Sequence, residues 1–570
     1  MADTSTPQPS YGRRPKQEEK EVETTKKPEK KARSGRNDSG GDTWKVFDRL
    51  FAEANRARDP WIQLWQEIYN YTLPQREHFY QATPGQQRTD LIFDETAVTG
   101  VPRFASRMTS GYFPQYGEIF SLSLGPESPK HLRNAEGEAK LEALTDMIHR
   151  SWQQSNFSAE ISEGMVDLGI GTMNMMIEPG PYPGDVVFAA LPPTHIAILR
   201  GYGDTIRGWF TWCEMALEDI KAQWPKGQYN DQFNNRLRTD PRAKEKVVRA
   251  VWETGNALEP AWKQVIVVQS MRLVVIDLDL KGEGACPHMT GRWSKTGLDA
   301  WGRGPLQLIM PAVKTCNLTV QLVLENAELA LGGIWVYDDD GVFNPDNIIL
   351  QPGTFIPKAQ GSKLESLQSP ARFDVSQLVL ADMRMNIKKG LFIDEMDAPG
   401  KTPRSAYEIQ SRIAETARDL SAPGARLVKE ILIPMVNRTI YIFEKQGILD
   451  MIGMKVDGKA LKLDVKSPFL RGQDAIQMNE MMQFSAQVNA IFGQGTSAMM
   501  FNRARSIPEM ARRNGVSMTM LNSDAEVKKM MAEATVGQQQ AQEGQMQQGM
   551  DPSTGDPSAM IDSLTAMTRQ

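Results

Sequence analysis

Two helical patterns with a β-rich interval between them constrain this chain more than any other feature. Pro305 opens a run to about Leu331 whose apolar residues fall at Leu306, Ile309, Val313, Cys316, Val320, Val323, Ala327 and Ala330. Steps of three and four make a heptad-like seam. It runs for about 26 residues, or ~39 Å of helix at 1.5 Å per residue. Pro311 should kink its early turns, and Gly332-Gly333 stops it. A second helix from about Asp374 to Lys389 carries Val375, Leu378, Val379, Met383 and Ile387 on its apolar side. Two seamed helices flanking a small β unit predict an antiparallel arm. A seam too long for one small domain asks for partners on both sides, which copies around a closed ring would supply; the alternative is an ordinary helix pair within one chain.

The β-rich interval contains Asp338-Asp339-Asp340-Gly341. A calcium loop would need alternating oxygen ligands over twelve residues and a closing Glu, which are missing. Asp340-Gly341 between Trp335-Val336-Tyr337 and Val342-Phe343 reads instead as a hairpin turn.

Behind the second helix lies MDAPGKTPRS, Met396 to Ser405, with the ending of a phosphate-binding loop at Gly400-Lys401-Thr402. The full loop needs glycine five residues earlier, where this chain has Glu395, a carboxylate that repels phosphate. Pro403 removes an N–H just where the helix should offer one. The tripeptide therefore reads as a connection between helices, with Pro399 and Gly400 supplying turn geometry.

Bulk properties narrow the function classes. The 570 residues are 40% hydrophobic and 24% charged, enough for several domains and a large interior. A net charge of −5 gives no global basic field to hold nucleic acid tightly. Cys213, Cys286 and Cys316 have no metal spacing and read as reduced thiols. His78, His131, His149, His195 and His288 form no H-x-x-x-H pair, so no metal site is expected. The N-terminus is polar from the start, which argues against a signal peptide. The most apolar run, WKQVIVVQSMRLVVIDLDL, is interrupted by Lys263, Gln264, Gln269, Arg272 and Asp277 and cannot span a membrane.

Along the chain, residues 1–42 form a charged tail expected to be disordered. The segment from Trp44 predicts two helices, the second starting at Asp59-Pro60. Helices follow at Thr96–Phe113, 135–154 and 157–170. Short strands are expected at Ile119–Leu124, Met173–Glu178, Val186–Leu191, His195–Arg200, Ile206–Thr211, Val265–Val268 and Arg272–Leu280. A third long helix starts at Ser405, capped by Ser405 and Glu408, and should kink or break at Pro423-Gly424 and Pro434. A strand near Leu461–Val465 and Met-rich helices to about Thr535 precede a Gln-rich tail.

Four segments, in this order, resemble the portal (head-to-tail connector) proteins of short-tailed bacteriophages. They are ETAVTGVPRFASRMTSGYFPQYGEIFSLSL, the paired-glycine MVDLGIGTMNMMIEP, TGLDAWGRGPLQLIMPAVKTCNLTVQLVLENAEL with its aromatic-Gly-Arg-Gly step into the central helix, and TPRSAYEIQSRIAET. The resemblance spans about residues 43–530. It implies an α+β portal fold: a wing over 43–304, stem helices at 305–332 and 370–390, a clip at 333–369 (with Trp335, Tyr337, Asp340 and Gly341), a channel loop at 391–404, a long kinked helix returning to the wing over 405–473, and a crown at 474–535 before the tail 536–570. It further implies a ring, usually of twelve subunits, at one capsid vertex, assembled in the host cytoplasm and carried in the virion. Expected partners are double-stranded DNA without sequence preference, the major capsid protein, scaffolding protein, terminase, and tail adaptor and nozzle proteins, with no membrane, cofactor or catalysis. Stem packing then falls to Leu306, Ile309, Val313, Val320, Val323 and Ala327. Channel contact with DNA falls to Lys388, Lys389, Lys401 and Arg404, countered by Asp394, Glu395 and Asp397, so that the duplex is held loosely. The competing readings are a packaging ATPase or metal nuclease, and a tail adaptor or scaffold without a DNA channel.

Overall fold

Aromatic residues at both ends of one helical pattern open the fold. The computed structural model describes residues 39–76, 79–80, 89–115, 117–125, 135–255, 259–297, 299–332, 335–339, 355–359, 373–393, 418–449, 461–466, 481–491 and 493. Its first helix, α1 (Ser39–Thr72), runs unbroken through Pro60, where the sequence predicts two helices. Burial at both ends explains the difference: Phe47, Phe51 and Ala54 pack at one end, Trp65, Ile68 and Tyr69 at the other. Pro60 faces solvent, where water can take the carbonyl that its missing N–H leaves unpaired. Close by, Arg58 is fixed by the Pro193 and Thr194 carbonyls at 2.9 and 3.1 Å, with its guanidinium 5.1 Å from the Trp212 ring.

The chain continues through α2 (Thr96–Tyr112), β1 (Phe120–Leu124), α3 (Ala135–Gln154), α4 (Phe157–Ile170), β2 (Thr172–Pro179), β3 (Val186–Ala190), β4 (Ile196–Arg200) and β5 (Ile206–Ala216). Next come α5 (Leu217–Gln223), α6 (Asp231–Thr239), β6 (Lys244–Glu253), β7 (Ala261–Val268), β8 (Leu273–Lys281) and β9 (His288–Arg292). The second half holds α7 (Pro305–Gly332), β10 (Trp335–Asp339), β11 (Phe355–Ala359), α8 (Phe373–Gly390), α9 (Ser421–Leu427), a π turn (Val428–Leu432), α10 (Ile433–Lys445), β12 (Leu461–Val465) and a helix at 481–491. None of the described helices is long and apolar enough to cross a membrane. The Gln-rich tail and residues 1–38 lie outside the described residues.

Strands β4 to β8 form an antiparallel meander in chain order. Period-two alternation covers both of its faces. Val248, Val265 and Val267 meet Phe47 and Phe51 of α1, while Val247, Ile266 and Val268 meet Leu217, Ile220 and Phe233 of α5 and α6. Sequence reading passes over α6 and β6. The Asn230 cap, whose side chain accepts from the Phe233 N–H, and the apolar run Val247–Trp252, interrupted only by Arg249, are the signals that could have found them.

The main interior gathers α2, α3, α4, the three-stranded sheet β3-β2-β9, α10, the first half of α7 and the last part of α8. Strand β12 returns to pair antiparallel with β1, Phe120 opposite Val465. Strands β10 and β11 pair in parallel, Trp335 opposite Phe355 and Tyr337 opposite Pro357. The partner described for β10 is therefore distant in sequence, and the hairpin turn expected at Asp340-Gly341 lies outside the described residues. The architecture is α+β.

Two glycine pairs seat α7 in this interior. The Gly302 N–H donates to Thr172 Oγ1 at 2.8 Å, the Gly304 N–H to the Ile170 carbonyl at 3.1 Å, and the Trp293 N–H to the Gly171 carbonyl at 3.0 Å. A Cβ on Gly304 would stand 2.1 Å from the Gly169 carbonyl oxygen, and one on Gly171 would stand 2.2 Å from that of Gly302. Trp301 is wholly buried, edge-on to Trp65 at 4.6 Å. Gly304→Ala forces backbone against backbone and should cost about 2–4 kcal/mol in urea unfolding. Gly297→Ala, whose Cβ meets nothing within 4 Å, should leave the midpoint unchanged.

Candidate functional site

From the glycine seat, α7 leaves the interior with α8 lying antiparallel beside it. Gly390 of α8 abuts Ile309, and Arg384 reaches Cys316 and Asp94. Leu306, Ile309, Met310, Val313 and Cys316 are buried in the chain's own core, with Val320 packed at its margin. Val323 and Ala327 are half-buried. The seam read from sequence thus points, over its first half, at this chain's own helices. α7 stays one helix across Pro311, which faces solvent.

A second row, mixed in character and carrying three leucines, occupies the opposite face of α7. Leu308, Pro311, Thr315, Leu318, Leu322 and Glu325 follow one another by three and four residues, and all are exposed. Leu308 is 81% exposed, Leu318 55% and Leu322 48%, values that a helix in a finished monomer core does not show.

Polar contacts brace the point where the arm leaves the core. Asn317 Oδ1 accepts the N–H groups of Phe93 and Asp94 at 2.7 and 2.8 Å, and its Nδ2 donates to the Leu91 carbonyl. Arg384 forks onto Asp94 Oδ2 at 2.8 and 2.6 Å. Burial would raise the Asp94 carboxyl, but hydrogen bonds from Thr96 and Arg384 outweigh it and hold the group below the usual carboxylate range. Burial, followed by the Asp94 charge, pushes the Cys316 thiol up to about 11, so it stays protonated.

Lys388 and Lys389 sit in the last turn of α8. That helix ends in a paired hydrogen-bond cap: Ile393 N–H to the Lys388 carbonyl at 3.0 Å and Phe392 N–H to the Lys389 carbonyl at 2.9 Å. The left-handed position of this cap is usually glycine, but here it is Phe392, at φ 57°. Arg107 of α2 donates to the Phe392 carbonyl, and the Trp293 ring lies 5.7 Å from the Phe392 ring. Leu391 and Ile393, the first and third residues of the span read as a loop, are buried against Gly100. Lys401 and Arg404, with the acidic residues expected to counter them, lie outside the described residues, as do Asp340 and Gly341. Sequence reading misses Arg103 and Arg107, whose helix gives no sign of reaching the end of α8.

The returning helix does not break at Pro434: it runs on from Ser421 to Lys445, widened just before the proline. Pro434 has no N–H for the Glu430 carbonyl, and a π turn over Val428–Leu432 absorbs the mismatch. Pro423 sits harmlessly in the first turn of α9. Glu430 within the π turn receives Arg292 N–H at 2.9 Å and its Nη2 at 2.7 Å, tying this helix to β9 beside the glycine seat.

One carboxyl under that seat is poorly served. Asp167, one turn before Gly171, is fully buried, and its Oδ1 has no hydrogen-bond partner. Arg76 stands 3.7 Å from it and donates instead to Glu163 at 2.7 Å. Burial pulls Arg76 down, but its neighbouring charges, Asp167 first, hold it above its ordinary value; Asp167 gains less than it loses by burial, which pushes it up to about 7. The unfolded chain ionises this group near pH 4, so stability falls as pH rises from about 4 through about 7, a loss on the order of 4 kcal/mol at most. Asp167→Asn should therefore match the wild type near pH 4 and exceed it at pH 8, read from urea midpoints. Asn317→Leu leaves two N–H groups without acceptors and should cost about 2–4 kcal/mol.

Comparison with known proteins places this geometry. The family described as "Bacteriophage head to tail connecting protein" matches residues 45–521. A probable portal protein of Bordetella phage BPP-1 is 22% identical over 483 residues, covering 79% of this chain and 83% of that protein. Among solved structures, the neck of an empty gene transfer agent particle computed with C6 symmetry aligns at TM-score 0.33 and 12% identity, over 75% of this chain and 92% of its own. The native particle's neck with C12 symmetry gives 0.31 and 12%, over 74% and 92%.

Proposed function

Because the chain belongs to the family of bacteriophage head-to-tail connecting proteins, we propose that it works as a portal: copies close into a ring at one capsid vertex, twelve by the family's habit, and duplex DNA enters and leaves along the axis. The ring is structural rather than catalytic. It is assembled in the host cytoplasm, retained in the virion, and offers docking surfaces to capsid, scaffolding, terminase, tail adaptor and nozzle proteins.

The observation that carries this reading is the exposed leucine row of α7. An amphipathic helix with one apolar face is finished when that face is covered. Here the covered face is Leu306–Cys316, and a second row stands free on the far side. Its three-four spacing suits knobs-into-holes contact with another helix. A head-to-tail contact repeated by rotation closes a ring.

Electron micrographs of the purified protein test the proposal, with rings bearing an axial hole as the expected result. The double variant Leu318→Asp, Leu322→Asp should keep the monomer's thermal midpoint within about 2 °C, because neither residue is in the core. The same variant should lose rings in mass photometry. Intact rings from it would reassign the contact to another face. Lys401→Glu should assemble normally and change the amount of DNA packaged or retained. ATP turnover by the protein alone would replace the structural reading with an enzymatic one.

A further inference from the structure

The structure brings two cations to the end of α8 that lie far from it in sequence. α2 has no acidic residue within it, and its outer side carries Arg103 and Arg107. Gly100 touches Leu391 and Ile393, and Arg107 donates to the Phe392 carbonyl, so one side of α2 lies along the cap of α8. Arg103 falls on that side about one turn from each. Lys388 and Lys389 occupy the turn just before it. Arg103 and Lys389 are exposed, while Arg107 and Lys388 are half-buried.

We propose that Arg103, Arg107, Lys388 and Lys389 form one contact site for the phosphates of duplex DNA. This site rests on the conduit reading above and adds α2 to the surface that meets the duplex. Nearby hydroxyls are already committed: Thr99 Oγ1 donates to the Glu95 carbonyl at 3.0 Å and Ser110 Oγ to the Arg107 carbonyl at 3.0 Å. They have no proton left for base edges. The contact assigned here is cation to phosphate, which carries no sequence information. Arg107 uses one N–H group on Phe392 and keeps others for an anion. Asp94, two residues before α2, is paired with Arg384. The cap fixes the backbone from which the two lysines project, and the Phe392 contact holds the Arg107 guanidinium.

The test is binding of full-length, assembled protein to a short random-sequence duplex, followed by fluorescence anisotropy across a salt series. Arg103→Glu should weaken binding about five- to tenfold at low salt and flatten the slope of log affinity against log salt by about one for each phosphate no longer engaged. Arg103→Lys should bind as the wild type does. Arg103→Gln serves if the charge reversal disturbs assembly, and should give a smaller loss in the same direction. Arg238→Glu, exposed on α6, is the control and should bind normally. Wild-type rings that bind no duplex at any salt would overturn the conduit reading itself. Wild-type rings that bind, with Arg103→Glu unchanged in affinity and slope, would overturn only this site, as would equal damage from Arg238→Glu.

Discussion

Backbone meeting backbone, with no side chain between, is the contact on which the rest of this molecule depends. Gly302 and Gly304 lie against Gly169, Ile170 and Gly171 closely enough that a single methyl would collide with a carbonyl oxygen. Three backbone N–H donations lock the approach. Since α7 starts one residue later, the direction in which the arm leaves the body is set here rather than along its length. Trp301, sunk against Trp65, keeps the seat dry, so those hydrogen bonds keep their strength. The Glu430–Arg292 pair fastens the returning helix to the strand beside the same seat. α7 and the returning helix are thus referred to one fixed point.

Above the seat, α7 changes role along its length. Its first turns complete the subunit's own interior; past Asn317 none of its described residues is buried. The change falls where Asn317 and the Asp94–Arg384 pair brace the helices, and polar contacts suit that boundary. They fix geometry without adding apolar surface that the monomer would have to cover. Below them the seam face is core, and above them Leu318 and Leu322 stay exposed.

Much of this is legible in the sequence, for a consistent reason. Elements whose periodicity is complete within a short window agree with the structure within a residue or two: α3, α4, β3 and β12. α1 is split at Pro60 by a local proline rule, where tertiary burial at both ends prevails. β6 escapes because Lys244, Glu245, Lys246 and Arg249 dilute its apolar pattern. The heptad spacing of α7 is visible, but spacing does not say which face a chain keeps for itself, and the face chosen as the seam is the one already covered over its first half. The pairings β1–β12 and β10–β11, and the meeting of Arg107 with Phe392, join residues too far apart for any window to relate. The motifs that carry the family resemblance are informative because two of them, the paired glycines and the Trp-Gly-Arg-Gly step, are the two halves of one joint.

The π turn at Val428–Leu432 has a genetic meaning. A π turn is what an α-helix becomes on absorbing one inserted residue, so this segment carries one more codon than a regular helix would require. Deleting a single codon there would remove the extra residue at the expense of the Glu430–Arg292 tie, with Pro434 still offering no N–H. Everything upstream in the helix would then swivel by about 100° about its axis. A chain one residue shorter at this spot would therefore turn a face about 100° round the incoming helix toward the same strand.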